Sequence, residues 1–168
     1  MPSPASRDRL INGLLATAGV GLCLLQVNWL ALLALVTVLL LHERISLAGE
    51  WHLLLQVSVL GWLHDAILLR SGVLTGVEMP ALWQLCIWPL LGTLLCHALR
   101  FVHQRLWLAL LLGAVAGPLL SQLLIQATRV DSDWQQLPLL LMMAVVWSLL
   151  LPLLVFIARS RVTLPAGT

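Results

Sequence analysis

The chain has 168 residues, 61% of them hydrophobic and 10% charged, with a formal net charge of +2. Soluble domains run near ~25% charged residues, so this composition argues against one. The small net charge argues against a nucleic-acid surface, which needs a dense basic stripe. All nine cationic side chains are Arg, and neither Lys nor Tyr occurs. The composition points to an all-α polytopic membrane bundle with no polar segment long enough to bury a core of its own, hence a single membrane domain over residues 1–168.

Arg7 and Arg9 precede a 32-residue apolar run, Leu10–Leu41. No small-x-small cleavage site follows, so the run reads as an uncleaved membrane entry. A single helix of that length would measure ~48 Å against a hydrocarbon core of ~30 Å. The break falls at Gln26-Val27-Asn28, which gives spans at about 10–25 and 29–44. The remaining spans are expected at about 50–70, 80–103, 105–127 and 135–158, six in all. Cys23, Cys86 and Cys96 fall inside apolar segments without metal-type spacing and read as small buried hydrophobes.

With six spans, Arg7, Arg9, Arg44, Arg100, Arg105, Arg159 and Arg161 share one side, and Arg70 and Arg129 the other. The positive-inside rule then makes both termini cytoplasmic; five spans would split the cations almost evenly and specify no orientation. Trp29, Trp51, Trp83, Trp107 and Trp134 open spans, where an amphipathic ring favours the interface. Trp62, Trp88 and Trp147 lie within spans and are expected as interior aromatics.

Asp65 is the one carboxylate deep inside an apolar run. Such groups cost ~2.5–3.5 kcal/mol to insert, face bundle interiors and mark function. It belongs to the outer third of the third span, preceded by His64, and suits proton acceptance, cation binding or a head-group contact; the plainer alternative is a structural hydrogen bond to a neighbouring span or proximity to the outer interface. Thr93, His97, Arg100 and Gln104 recur at helical spacing near the cytoplasmic end of the fourth span, a face able to grip a phosphate or an acyl carboxylate. Topology separates Asp65 from His97 by on the order of 10 Å along the membrane normal, so they form no dyad. His42, Glu43, Glu50, His52, His97 and His103 are metal-ligand types on the cytoplasmic side. His42 and His52 are ten apart and His97 and His103 six apart, spacings that stack neither pair on a helix, so no metal and no cofactor is expected.

Gly113-Ala-Val-Ala-Gly117-Pro118 is a small-xxx-small motif followed by a proline, a device for close helix packing and a kink, with Ser121 just beyond it. Pro89 and Pro152 mark further kinks. A short echo, Trp29-Leu-Ala-Leu-Leu and Trp107-Leu-Ala-Leu-Leu, hints at inverted three-span repeats of the kind transporters use.

The series Gly61-x-x-x-Asp65, Trp83 and Trp88, Thr93-Leu-Leu-Cys96-His97-Ala-Leu99-Arg100, Gly113 to Ser121, and Trp147 with Pro152 resembles a bacterial inner-membrane family, domain of unknown function 2878. The resemblance covers about residues 50–158, more loosely the first two spans. Two departures stand out: Cys96 replaces a frequent Asn before the span-four His, and Leu14-Leu-Ala-Thr-Ala-Gly-Val replaces an aromatic-rich stretch. The family is often encoded near fatty-acid-modifying enzymes, which implies a lipid-associated role by analogy. The leading expectation is a non-catalytic inner-membrane component that binds membrane lipid or docks a fatty-acid-modifying enzyme or another membrane protein. The alternatives are a small proton-coupled transporter using Asp65 and a lipid-modifying enzyme using His97.

Overall fold

The computed structural model describes residues 4–162. Six helices follow one another: α1 (Pro4–Cys23), α2 (Asn28–His42), α3 (Glu50–Arg70), α4 (Leu82–Cys96), α5 (Leu106–Ala127) and α6 (Gln136–Arg161). Short 3-10 turns at Glu43–Ile45 and Arg100–Gln104 extend α2 and follow α4. No strand occurs among the described residues. A lone bridge, Thr75 to Asp131, ties the α3–α4 connection to the α5–α6 connection.

Four helical segments are long and apolar enough to cross a membrane: Asn28–Ile45, Glu50–Arg70, Leu106–Ala127 and Gln136–Arg161. The run 10–41 does divide in two, with Gln26 at φ +61 between the helices. That left-handed turn is held by the Gln26 side chain, whose Nε2 donates to the Ala127 carbonyl and whose Oε1 accepts from the Arg129 N–H. The fourth element departs most from expectation. α4 stops at Cys96, not at 103, and its 15 residues measure only ~22 Å. His97 ends it with φ −117 and ψ −83, outside helical geometry.

Contacts fix which ends lie together. Asn12 of α1 meets His42 at the end of α2, and Glu50 at the start of α3 meets His97 at the end of α4. Gly49, at φ +86, lies against the Arg161 carbonyl of α6. Successive helices therefore alternate in direction. α4 sits at the centre, packed on α1, α2, α3 and α6, while α5 packs chiefly on α6. α5, α6 and α4 each continue through an internal proline, Pro118, Pro152 and Pro89.

Hydrophobicity alone does not say which face of these helices is inside, because they are apolar all round. Glycine does. A side chain on Gly113 would strike the Trp147 carbonyl, and one on Gly117 would strike the Trp147 indole, so the small-xxx-small motif brings α5 onto α6 as expected. Gly61 opens the space on α3 that the Trp88 ring occupies. Among the tryptophans, Trp88 and Trp147 are buried, but Trp62 is 38% exposed on the outer face of α3 and is not an interior aromatic. Trp83, expected at an interface, is 4% exposed.

Gly113→Val is expected to lower stability in detergent by about 1–3 kcal/mol or more, because the obstacle is backbone. Gly21→Ala, whose new methyl meets nothing within 4 Å, is expected to be neutral or to stabilise α1 by up to about 1 kcal/mol. Thermal unfolding of the two purified variants beside the native chain checks both.

Candidate functional sites

Two polar clusters lie at opposite ends of the bundle. The first is built on α3, where a carboxylate on a helix buried in apolar surroundings requires donors. Asp65 finds two: His64 Nδ1 lies 3.0 Å from its Oδ1, and Trp88 Nε1 donates to its Oδ2 at 2.8 Å. The Trp88 ring stacks on Trp147 at 5.6 Å between centroids, and the His64 ring stands edge-on to both. Gly61 and Gly117 supply the room for the two indoles, and Gly113 lets the α6 backbone close in beside them. The residues that carry the family resemblance around Gly61, Asp65, Trp88, Gly117, Ser121 and Trp147 thus converge on one place.

With Asp65 accepting the Nδ1 proton, His64 presents Nε2 as an acceptor, and that atom is buried with no protein partner. Gln84 is similar. Its Oε1 accepts from the Ala81 N–H at the start of α4, which leaves its buried Nε2 without a partner. Both side chains line a cavity of ≈ 80 Å³ with Asp65, Trp88, Trp147 and Ser121. Its other walls are Val20 and Leu24 on the α1 side and Leu120, Leu123 and Leu124 on α5. α1 and α5 scarcely touch, and Leu123 is 46% exposed, so the cavity opens sideways between them. Ser121 Oγ donates to the Gly117 carbonyl one turn back, which satisfies its own hydroxyl within α5. Chemically, an imidazole whose tautomer is set by a carboxylate and whose other nitrogen faces a cavity is the arrangement of a general base or a fixed hydrogen-bond acceptor.

The second cluster was not legible from spacing within helices. His42, at the end of α2, lies with Nε2 3.0 Å from Glu50 Oε1; His97, closing α4, lies with Nε2 3.2 Å from Glu50 Oε2. The Leu47 N–H donates to Oε2 at 2.8 Å, and Asn12 Nδ2 lies 3.1 Å from His42 Nδ1. His42, Glu50 and Asn12 are each 1% exposed. Of the six metal-ligand types singled out in the sequence, three therefore meet, brought together by three different elements. Glu43 instead accepts from Trp51 Nε1, His52 is exposed, and His103 Nε2 lies 2.8 Å from the Leu95 carbonyl. Asn12 was missed; its one signal was an amide within an otherwise apolar run.

The face of Thr93, His97, Arg100 and Gln104 does not exist as expected, because the helix ends between its members. Thr93 Oγ1 donates to the Leu90 carbonyl, His97 turns to Glu50, and Gln104 is exposed beyond the turn. Arg100 does share with His97 a cavity of ≈ 180 Å³ lined also by Asp8, Arg9, Arg44 and Cys96. Its lining holds three guanidinium groups against one carboxylate, so it favours anions. Cys23, Cys86 and Cys96 are buried free thiols, as expected. His97 pairs with Glu50, fifteen residues before Asp65 on α3, so the two clusters stand ~22 Å apart along that helix.

A family model described as a protein of unknown function (DUF2878) matches residues 13–153. The chain belongs to this family. No curated protein and no solved structure matches it. The match takes in both clusters except Asn12 and extends through the first two helices, where the resemblance read from the sequence was loose.

Two outcomes follow from this geometry. Trp88→Phe keeps the ring on Gly61 but leaves Asp65 Oδ2 without its donor, and is expected to cost about 1–3 kcal/mol in thermal unfolding. Burial, with help from Arg159 and Arg100, holds the His103 pKa below its ordinary value despite the Leu95 bond. The folded chain thus resists a proton that the unfolded chain takes up below about pH 6.5. Stability is expected to fall as pH drops through that range, less steeply in His103→Gln than in the native chain, by unfolding measured across pH.

Proposed function

We propose that this is an integral membrane protein that binds a lipid in the crevice between α1 and α5, its polar end on His64 and Gln84. One observation carries the reading: two buried polar atoms without protein partners, His64 Nε2 and Gln84 Nε2, line a cavity otherwise walled by aliphatic and indole groups. An unpaired buried polar group costs about 1–3 kcal/mol, which a ligand that pairs it returns as affinity. His64 offers an acceptor and Gln84 a donor, a combination that suits a hydroxyl or a protonated carboxyl. The side opening suits a chain that stays in the hydrocarbon, so the ligand class is a fatty acid or a lipid alcohol.

In this reading all six helices cross or enter the bacterial inner membrane, with α4 shielded by its neighbours because it is too short to span alone. The end holding Arg9, Arg44 and Arg100 is cytoplasmic by the positive-inside rule, which puts the lipid crevice in the outer leaflet. Asp65 then orients His64, with His64 on one of its oxygens and Trp88 on the other. The link to lipid modification rests on the family resemblance, with a fatty-acid-modifying enzyme as the natural partner.

Native mass spectrometry of protein purified in mild detergent is expected to show a retained fatty acid or lipid alcohol. Leu123→Trp, which fills the crevice from its lipid-exposed edge, and His64→Leu, which removes the acceptor, are each expected to lower retention at least about tenfold, the equivalent of one lost hydrogen bond of ~1.4 kcal/mol. Equal retention in both variants would overturn the assignment.

A further inference from the structure

The cluster at the other end of the bundle goes beyond lipid binding. We infer that His42, Glu50 and His97 form a binding site for a divalent transition-metal ion of the zinc or iron(II) type, with Asn12 holding the His42 ring from behind. The three residues offer two imidazole nitrogens and a carboxylate oxygen, all within 4.8 Å of one another. Imidazole with carboxylate suits zinc, iron(II) and cobalt(II) and disfavours magnesium, which prefers an all-oxygen shell. His42 Nε2 lies 3.0 Å from Glu50 Oε1 and His97 Nε2 3.2 Å from Glu50 Oε2, so each imidazole is within about one polyhedron edge (~3.0–3.4 Å for bonds of ~2.1 Å) of its own oxygen of the same carboxylate.

Without an ion, each Nε2 donates its proton to Glu50, and His42 Nδ1 accepts from the Asn12 amide. Ligation needs the Nε2 lone pair, so the His42 proton must sit on Nδ1 instead. Asn12 is built for that alternative. Its Oδ1 is buried with no partner, and turning the amide over presents this oxygen to an Nδ1–H. A metal-bound His nearly always donates its second nitrogen in this way, which fixes the ring and its tautomer. Asn12 is therefore a positioning residue, not a ligand.

Three protein ligands leave coordination positions open, and the surroundings say what reaches them. His97 also lines the ≈ 180 Å³ cavity with Arg9, Arg44 and Arg100. That cavity gives the open positions space beside His97, and its cationic lining suits an anionic co-ligand better than a second cation. The site needs no part of the lipid crevice, ~22 Å away along α3.

The test uses full-length protein in detergent, stripped with chelator and reloaded separately with Zn²⁺, Co²⁺, Fe²⁺ and Mg²⁺. Expected are about one Zn²⁺ or Fe²⁺ per chain by elemental analysis, no retained Mg²⁺, and visible d–d absorption with Co²⁺. His42→Ala and His97→Ala are expected to abolish retention, whereas His52→Ala, at an exposed position, leaves it unchanged. Asn12→Leu removes no ligand yet is expected to weaken Zn²⁺ binding by about 10–100-fold, the usual effect of losing such a partner. The native chain decides the matter even where a variant fails to fold: no Co²⁺ spectrum and no Zn²⁺ retained overturns the site, as does retention that survives His97→Ala. Lipid retention measured on the same preparations fails or holds independently of these results.

Discussion

A carboxylate inside an apolar bundle must be met by donors, and in this chain that constraint fixes α3 against α4 at both ends. α3 carries both acids, Glu50 in its first turn and Asp65 fifteen residues later; α4 carries a donor for each, His97 at its end and Trp88 near its middle. Inserting such a group costs ~2.5–3.5 kcal/mol, and a hydrogen bond to a charged group contributes about 1.5–3 kcal/mol. One donor would barely offset insertion, so each acid has more than one. Asp65 has two and Glu50 three. Sliding α3 past α4 by one turn would break the Trp88–Asp65 and His97–Glu50 contacts together, which favours the observed register.

The same constraint explains how α4 survives at about three quarters of an ordinary span's length. A 15-residue helix leaves its terminal N–H and C=O groups inside the bundle, and each must be satisfied there. At its start, Gln84 reaches back to the Ala81 N–H; at its end, the Leu99 N–H donates to the Leu94 carbonyl and His103 meets the Leu95 carbonyl. The chain turns through residues 97–105 under its neighbours and never continues as the regular span expected to 103. His97 can reach Glu50 because it lies in that turn, off the helical path that its spacing from Thr93 and Arg100 implied.

This marks the boundary between what was legible in the sequence and what was not. Helix positions were legible where polar breaks bound an apolar run, as at α3, where the expected span 50–70 and the observed Glu50–Arg70 coincide. The role of Gly113 and Gly117 was also legible, because backbone approach depends on a spacing within one helix. Orientation was not: Leu-rich helices that are apolar all round give no sign of which face is buried, so Trp62 was expected inside the bundle and lies on its outer face. The His42–Glu50–His97 cluster was invisible for a different reason. Its members come from three elements, and a test of spacing inside one helix rejects them. A count of polar groups with no local partner, Asn12 among them, is the signal that would have reached it.

The crevice has its origin in the distribution of the glycines. Gly113 and Gly117 draw α5 onto α6, and nothing comparable draws α5 toward α1. α1 is instead fastened to α2 and α4, with Asn12 on His42 at one end and Gly19 close against Leu90 and Val38 midway. The bundle is therefore two packed groups, α1 to α4 and α5 with α6, joined midway where Trp88 of one stacks on Trp147 of the other and at the ends by Gly49 on Arg161, the Thr75–Asp131 bridge and Gln26 on Ala127. The gap between α1 and α5 is what remains when both groups are fully packed internally. Because the joint is an indole pair tied to Asp65, the floor of the gap is the place where His64 presents its unpaired nitrogen. Helix packing and the geometry around Asp65 are thus set by the same few residues.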